Sequence, residues 1–230
     1  MKKKAVCLIS GGLDSAVTAF IAKKKGYDLF ALSFRYGQRH TKELSCAKKI
    51  TQAVGAKDHI IFNIDLQKFG GSSLLTSSSR QIKNHALNDI GKTIPSTYVP
   101  ARNTVFLSLA LAYAEAINAA AIFIGVNAMD YSGYPDCRPN YIRAYQHLAN
   151  LATKHGVKGK TIRINTPLLS LTKAEIIKTG EKLNVPFRKT WSCYRGDAKA
   201  CGRCDSCLLR LKGFQEAKVK DPIPYITNPN

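Results

Sequence analysis

The sequence predicts an α/β fold with a doubly wound, parallel, five-stranded sheet, followed by a small cysteine-rich module. Three observations predict it. Short apolar runs alternate with segments of helical periodicity through residues 5–165. A double-glycine turn separates the first apolar run from the first helical segment, and four cysteines cluster near the C-terminus. Alternating strands and helices favour a parallel sheet covered by helices on both faces.

The predicted strands are five short apolar runs, at residues 5–9, 29–34, 59–64, 121–126 and 161–165. The predicted helices between them occupy residues 14–25, 41–54, 103–118 and 140–155. Gly26 and Gly55 end the first two helices. Sheets of this type bind ligands beyond the carboxyl ends of their strands. The loop after the first strand is therefore the predicted ligand site.

Residues 66–99 interrupt the alternation of strands and helices. They contain glycine- and serine-rich stretches, and a connection of this length inside a compact domain is typically a lid or an insertion. We expect this segment to be partly disordered until substrate binds. The predicted domains are an α/β domain at residues 1–184, which includes the segment, and a cysteine module at residues 185–230.

Residues 10–15 read Ser-Gly-Gly-Leu-Asp-Ser and follow the first predicted strand directly. Two glycines permit backbone angles that other residues avoid, and the N–H groups at the start of the next helix can then bind an anion. Ser10 and Ser15 add hydroxyl donors. Asp14 is unusual beside an anion unless a cation accompanies it. The loop matches neither the Walker A pattern nor the dinucleotide fingerprint, both of which are absent from the chain.

Four cysteines near the C-terminus have the spacing C-x7-C-x2-C-x2-C: Cys193, Cys201, Cys204 and Cys207. Four thiolates at this spacing can complete a tetrahedron around Zn²⁺ and leave no open position, which predicts a structural zinc site. An iron–sulfur cluster is the main alternative. Disulfides are less consistent with seven cysteines in total and with the absence of a signal peptide, which together predict a reducing, cytoplasmic location.

The chain carries a formal net charge of +20 over 230 residues, which favours anionic ligands. The basic residues are spread along the whole chain, and no basic and aromatic array of the RNA-binding type occurs. The charge alone is therefore weak evidence for a nucleic-acid partner. No apolar run is long enough to span a membrane.

The loop at residues 10–15 resembles the pyrophosphate loop of the PP-loop ATP pyrophosphatases, which have the adenine nucleotide alpha-hydrolase-like fold. Other stretches resemble one family among them, the 7-cyano-7-deazaguanine synthases of queuosine-precursor biosynthesis. They are residues 34–38, 98–103, 125–138, 166–169, 171–176, 190–194 and 201–207. Together they cover nearly the whole chain in family order. One departure is Ala101, where the family has glycine in the pattern Pro-Gly-Arg-Asn.

This resemblance implies a ligase that forms C–N bonds. It would convert 7-carboxy-7-deazaguanine and ammonia to 7-cyano-7-deazaguanine, through a carboxylate activated by ATP and an amide that is activated again and dehydrated. The implied cofactors are ATP, Mg²⁺ and Zn²⁺. The implied enzyme is a cytoplasmic homodimer that acts on small molecules and requires neither a membrane nor a nucleic acid.

The resemblance also implies roles for individual residues. The residues expected to contact the nucleotide are Leu8, Ile9, Ser10, Gly11, Gly12, Leu13, Asp14, Ser15, Ala16, Val17 and Thr18. The expected catalytic residues are Asp14, Ser15, Arg102 and Lys173. Lys173 begins a predicted helix, where a cation is unfavourable unless an anion is close.

The residues expected to bind the substrate are Arg102, Asp130, Tyr131, Asp136 and Arg138. Either aspartate could pair with the guanine-like edge of the base, and Tyr131 or Tyr134 could stack on it. Arg102 could instead form a surface ion pair.

Two alternative functions remain open from the sequence. One is a PP-loop tRNA-modifying enzyme, either a thiolase or a lysidine-type ligase, which would share the ATP loop. It usually needs a catalytic cysteine pair, an iron–sulfur cluster or a separate tRNA-binding domain, and no such domain is left over here. The other is a non-catalytic zinc-module RNA-binding protein, which the intact glycine loop disfavours.

Overall fold

The computed structural model describes residues 2–38, 42–76, 78, 82, 85–129, 133–195 and 198–226. Within these residues the chain forms a five-stranded sheet in which every pairing is parallel, in the order β3-β2-β1-β4-β5. The strands are β1 (Lys4–Leu8), β2 (Asp28–Arg35), β3 (Asp58–Asn63), β4 (Ala121–Phe123) and β5 (Arg163–Asn165). The predicted parallel five-stranded sheet is confirmed.

Helices cover both faces of this sheet. The described α-helices are α1 (Leu13–Lys24), α2 (Lys42–Val54), α3 (Arg102–Ala116), α4 (Pro139–Ala152), α5 (Lys154–Val157), α6 (Lys173–Lys182) and α7 (Asp205–Ala217). Short 3₁₀ turns occupy Leu66–Phe69, Leu87–Asp89, Pro135–Cys137 and Phe187–Lys189. No described helix has both the length and the apolar character needed to cross a membrane.

Successive residues of the central strand β1 supply two separate cores. Ala5 and Cys7 pack with α1, α2, α6 and α7, whereas Val6 and Leu8 pack with α3 and α4. All four residues are buried. A parallel strand covered on both faces requires a continuous apolar run, which is why β1 shows no alternation in the sequence.

The chain order along the sheet reverses at β1, because β2 lies on one side of it and β4 on the other. Such a reversal opens a crevice beyond the carboxyl ends of the two strands. The turn at residues 9–12 follows β1, and residues 124–127 follow β4, so both segments enter this crevice. Strand β4 ends at Phe123, three residues before the predicted end.

A third cluster of buried side chains contains the four C-terminal cysteines, Cys46, Trp191 and Ile223. Helix α7 begins directly after Cys204, contains Cys207 in its first turn, and packs on α6. Phe214 of α7 joins the core beneath α1 and meets the ring of Phe187 edge-on, with 5.4 Å between centroids. The cysteine-rich segment therefore contacts the face of the sheet that carries α1.

Candidate nucleotide and metal sites

The first candidate site is the turn between β1 and α1. Gly11 has a φ of +88°, a conformation that favours glycine. A Cβ at this position would overlap the backbone oxygen of Glu43 in the first turn of α2. Gly12 has extended angles and precedes Leu13, the first residue of α1. The turn thus presents the unpaired N–H groups of a helix start at the carboxyl edge of the sheet, where they can bind an anion.

Two serine hydroxyls hold this turn in place. Ser15 Oγ donates to the backbone oxygen of Gly12 (3.0 Å) and accepts from the backbone N–H of Ser10 (3.2 Å). Ser10 Oγ accepts from the N–H of Gly12 (3.2 Å) and donates to Ser15 Oγ (3.1 Å). The loop is therefore organised by its own hydrogen bonds, with Ser15 buried and Ser10 exposed.

Asp14 in this loop is paired with Lys173. The Lys173 ammonium donates to both carboxylate oxygens, at 2.7 and 2.9 Å. Lys173 is the first residue of α6, and a capping box between Thr172 and Glu175 fixes the start of that helix. Its side chain is only 9% exposed and lies against Gly213 of α7, where a Cβ would overlap it. Asp14, the acid in the loop expected to bind an anion, thus has a buried cation as its counterion.

A cavity of about 260 Å³ lies where the loops after β1, β2 and β4 converge. Of the predicted nucleotide residues, 8–10 and 12–15 line it, whereas Ala16, Val17 and Thr18 are buried within α1. The charged residues of the lining are Asp14, Glu43, Arg102, Lys173 and Arg210. Its aromatic residues are Phe34, Tyr36, Phe106, Tyr134, Trp191 and Tyr194. The cavity therefore offers phosphate-binding groups at one wall and flat apolar surfaces at others.

Arg102 lines the cavity from the first position of α3. Its guanidinium donates to the Tyr36 hydroxyl at 3.1 Å, and its carbon lies 5.6 Å from the centre of the Tyr36 ring. The preceding residue, Ala101, has φ 51° and ψ 25°, and its N–H donates to the Tyr98 hydroxyl at 2.9 Å. A left-handed alanine costs about 1–2 kcal/mol, which explains physically why glycine suits this position.

Asp136 lies behind the cavity wall and is not part of the lining. Its carboxylate accepts from the backbone N–H of Asn103 at 3.0 Å, near the start of α3. Burial raises the pKa of Asp136, although the Asn103 N–H and the Arg102 guanidinium act in the opposite direction. Arg138 is exposed at the start of α4 and is absent from the lining. Asp130 and Tyr131 lie outside the described residues.

The lining residues that had no role assigned from the sequence include Tyr36, Glu43 and Trp191. Trp191 donates its backbone N–H to the oxygen of Gly11 at 2.9 Å, so the cysteine-rich segment is tied to the glycine turn. Burial raises the pKa of Glu43 to about 7, with the Arg102 guanidinium lowering it and the Cys193 sulfur raising it further. Tyr36 and Trp191 lie in stretches that resemble the family, at residues 34–38 and 190–194, whereas Glu43 lies in none of those stretches.

The second candidate site is formed by Cys193, Cys201, Cys204 and Cys207. Their four sulfurs lie within 4.8 Å of one another, and all four residues are buried. No disulfide joins them, since all seven cysteines of the chain are free thiols. Tetrahedral zinc with Zn–S bonds of about 2.3 Å requires sulfurs roughly 3.8 Å apart, so small movements would close this group around an ion.

Backbone N–H groups also point at these sulfurs. Cys193 Sγ accepts from the N–H of Arg195 and of Cys201, both at 3.4 Å, and Cys201 Sγ accepts from the N–H of Cys204 at 3.3 Å. Donors of this kind stabilise thiolates, the form of cysteine that binds metals. The cluster therefore fits a metal ion held by four protein ligands.

Residues 4–218 match the sequence model of a family described as queuosine biosynthesis protein QueC. The chain belongs to this family. It is 58% identical over 227 residues to a 7-cyano-7-deazaguanine synthase from Geobacter sp. (strain M21), covering 98% of this chain and 99% of the relative. It is 53% identical to a 7-cyano-7-deazaguanine synthase from Ralstonia pickettii (strain 12J), over 98% of this chain and 100% of the relative. The resemblance inferred from the motifs is confirmed.

The QueC chain is also similar in fold to solved structures. An NMN synthetase from Francisella tularensis superposes with a TM-score of 0.50 over 95% of this chain and 88% of that chain. The two sequences are 16% identical, so this similarity concerns the fold alone. It agrees with the α/β fold that the sequence of this QueC member predicts.

Proposed function

We propose that this QueC family member is a 7-cyano-7-deazaguanine synthase. It would use ATP and ammonia to convert the carboxylate of 7-carboxy-7-deazaguanine first to an amide and then to a nitrile. The observation that carries the proposal is the 53–58% identity, over nearly the full length of each chain, to enzymes with that name. The cavity at the carboxyl ends of β1 and β4 supports it, because it combines an anion-binding turn with aromatic walls.

The nucleotide would bind at the turn after β1. Its phosphates would accept from the N–H groups at the start of α1 and from the Lys173 ammonium. Asp14, released from part of its contact with Lys173, would then be free to hold Mg²⁺, which prefers carboxylate and phosphate oxygens. Ser15 would keep the turn in its binding conformation through the hydrogen bonds it already makes. A carboxylate oxygen is a poor leaving group, and transfer of an adenylyl group to it makes it a good one.

The substrate would occupy the part of the cavity beside Arg102. The guanidinium can neutralise the carboxylate of the substrate or the α-phosphate, because it carries a permanent charge and already lies at the wall. The ring of Tyr36 or Tyr194 offers a surface for stacking the base. Asp136 would act through Asn103 and the start of α3, while Asp130, Tyr131 and Arg138 remain further candidates for contacts with the base.

The cysteine cluster would hold one structural Zn²⁺. Four thiolates saturate a tetrahedral ion, so the metal would fix the fold of the segment and not activate a water molecule. The Trp191 N–H that reaches Gly11 would transmit this support to the nucleotide turn. We also propose the division into residues 1–184 and 185–230, with residues 66–99 as a lid or insertion. The enzyme would be cytoplasmic and homodimeric and would need no nucleic acid.

The test is to incubate the pure protein with ATP, Mg²⁺, ammonium and 7-carboxy-7-deazaguanine, and to measure the masses of the products. We expect both the amide and the nitrile, and neither in the absence of ATP. Modification of a tRNA substrate without formation of either product would instead support the PP-loop tRNA-modifying alternative. Elemental analysis should find one zinc per chain and no iron, with no visible chromophore.

A further inference from the structure

Glu43 lies where the glycine turn, helix α2 and the cavity meet. It belongs to the first turn of α2, and its backbone oxygen is so close to Gly11 that no larger residue fits there. Its side chain is part of the cavity lining. The side chain thus enters the cavity from the helix that packs on the turn expected to bind the phosphates.

The carboxylate of Glu43 differs from the other acids around the cavity. Among the described residues it makes no hydrogen bond and no ion pair. Asp14, the other acid of the described lining, is paired with Lys173, and Asp136 is bonded to the N–H of Asn103 outside the lining. No histidine occurs in the described lining. Glu43 is therefore the described group at this cavity that is available to accept a proton.

The environment of Glu43 suits such a role. Burial raises the pKa of Glu43 to about 7 against the opposing charge of the Arg102 guanidinium. The other titratable groups that interact with it are Tyr36, Cys46 and Cys193. A carboxyl group in this range exchanges protons readily at neutral pH, which is the condition for general acid–base catalysis. The proposed reaction needs a base to remove a proton from ammonium. Ammonia exists at neutral pH mainly as ammonium, which has no lone pair with which to attack carbon.

We propose that Glu43 binds the ammonium ion at the cavity wall and accepts one of its protons, so that ammonia is released beside the activated carboxylate. The proposal rests on the function proposed above. Ammonium gives a proton to the Glu43 carboxylate and becomes ammonia. The nitrogen lone pair forms the C–N bond, the bond between carbon and the adenylyl oxygen breaks, and AMP leaves with that electron pair. The second proton lost from nitrogen passes to the solvent or to the departing phosphate.

A role as a Mg²⁺ ligand is the main competing explanation for Glu43. Magnesium prefers an octahedron of oxygen ligands, commonly one or two carboxylates with phosphates and several waters. The two acids of the described lining are Asp14 and Glu43, and of these only Asp14 belongs to the turn expected to bind the phosphates. Glu43 reaches the cavity from α2 instead. The two explanations differ in the step that they affect, because Mg²⁺ is needed for adenylation and ammonium is not.

The test uses the full-length Glu43→Gln variant and separates the two steps. Exchange of labelled pyrophosphate into ATP, dependent on 7-carboxy-7-deazaguanine, reports adenylation without ammonia. We expect the variant to keep this exchange within a few-fold of wild type and with the same Mg²⁺ requirement. Amide formation from ammonium should fall about 100-fold at neutral pH. Retained exchange also shows that the variant is folded, and Glu181→Gln, an exposed substitution on α6, is the matched control.

A change of nucleophile makes the test specific for proton removal. Hydroxylamine is largely uncharged at neutral pH and needs no base to attack, so Glu43→Gln should form the hydroxamate at close to the wild-type rate. Equal losses with both nucleophiles, or a loss of exchange relieved by more Mg²⁺, would overturn the proposal. So would a normal rate with ammonium. If the wild-type protein itself shows no exchange with this substrate, the proposed function fails, and this inference with it.

Discussion

The glycine turn and the cysteine cluster are both candidate ligand sites, but they are held in place by different forces. The turn lies between a buried central strand and a helix, and the hydroxyls of Ser10 and Ser15 make hydrogen bonds within it. The cluster lies in a small group of buried residues in which four of the members are the cysteines themselves. Apolar burial is the main stabilising force in most domains, and this cluster has little of it.

The comparison teaches that similar substitutions should have opposite consequences at the two sites. At the turn, the sheet and helices maintain the structure, so changes should affect binding and catalysis first. At the cluster, the free energy of the proposed metal binding would also be folding free energy, so changes should affect structure first and activity through it. Trp191 joins the two sites, because it packs among the cysteines and donates to Gly11.

The largest effect should come from replacing a cysteine ligand. Cys204→Ser should lower the zinc content well below one per chain and unfold the segment from about residue 190, because structural zinc can supply about 10 kcal/mol or more. Elemental analysis and thermal unfolding measure this. Cys46→Ser is the matched control, since Cys46 is buried in the same cluster but is not one of the four ligands. Full zinc content in Cys204→Ser would show that the cluster is not held by the metal.

The next largest effect should be a loss of activity at the turn. Asp14→Asn should lower pyrophosphate exchange by at least about 100-fold, which is roughly 2.7 kcal/mol of transition-state stabilisation. The sheet should stay folded, although the loss of a partner for the buried Lys173 should cost about 1–3 kcal/mol. Steady-state kinetics and urea unfolding check the two parts separately. Unfolding as complete as in Cys204→Ser would remove the distinction between the sites.

The pH dependence of stability should report Glu43. Its pKa is about 7 when folded and about 4.5 by reference, so between these values the folded protein binds more protons than the unfolded chain. The free energy of unfolding contributed by Glu43 should therefore fall as the pH rises through this window. Urea unfolding at about pH 5 and about pH 8 should show Glu43→Gln gaining stability relative to wild type at the higher pH. If the difference in unfolding free energy between Glu43→Gln and wild type is the same at both pH values, the pKa of Glu43 is not raised.

The smallest effect concerns Ala101 beside Arg102. Ala101→Gly should stabilise the protein by about 1 kcal/mol, because glycine relieves the left-handed strain and this gain exceeds the added entropy of the unfolded chain. Urea unfolding measures the change. Ala86→Gly is the control, since Ala86 has an ordinary φ of −63° and should only lose stability. A loss at Ala101 as large as the loss at Ala86 would show that the strain is absent.

Much of the fold could be predicted from the sequence because its signals are local. Apolar runs predicted the five strands, the spacing of four cysteines predicted that they would cluster, and the glycine pair predicted the turn. Strand β4 ended early because residues 124–127 leave the sheet to line the cavity, which hydrophobicity alone does not reveal. Helix α7 was not predicted, since it begins among the cysteines and its sequence has no clear apolar stripe.

The site was less predictable, because its contacts join distant parts of the chain. Asp14 and Lys173 are 159 residues apart in sequence, so neither suggested the other as a partner. Glu43 resembles an ordinary first-turn acid of a helix until the packing of α2 against Gly11 places it at the cavity. The left-handed angle of Ala101 could be expected only from the glycine at that position of the family pattern.

Hydrogen–deuterium exchange on the zinc-bound and zinc-free protein tests the difference between the two sites most directly. Removal of the metal with a chelator should abolish protection from about residue 190 to residue 226. Protection should persist in β1 and α1, because the sheet and its two cores hold the glycine turn without the metal. If β1 and α1 lose protection together with the cysteine segment, or if chelation changes neither region, the two sites are not stabilised in the different ways described.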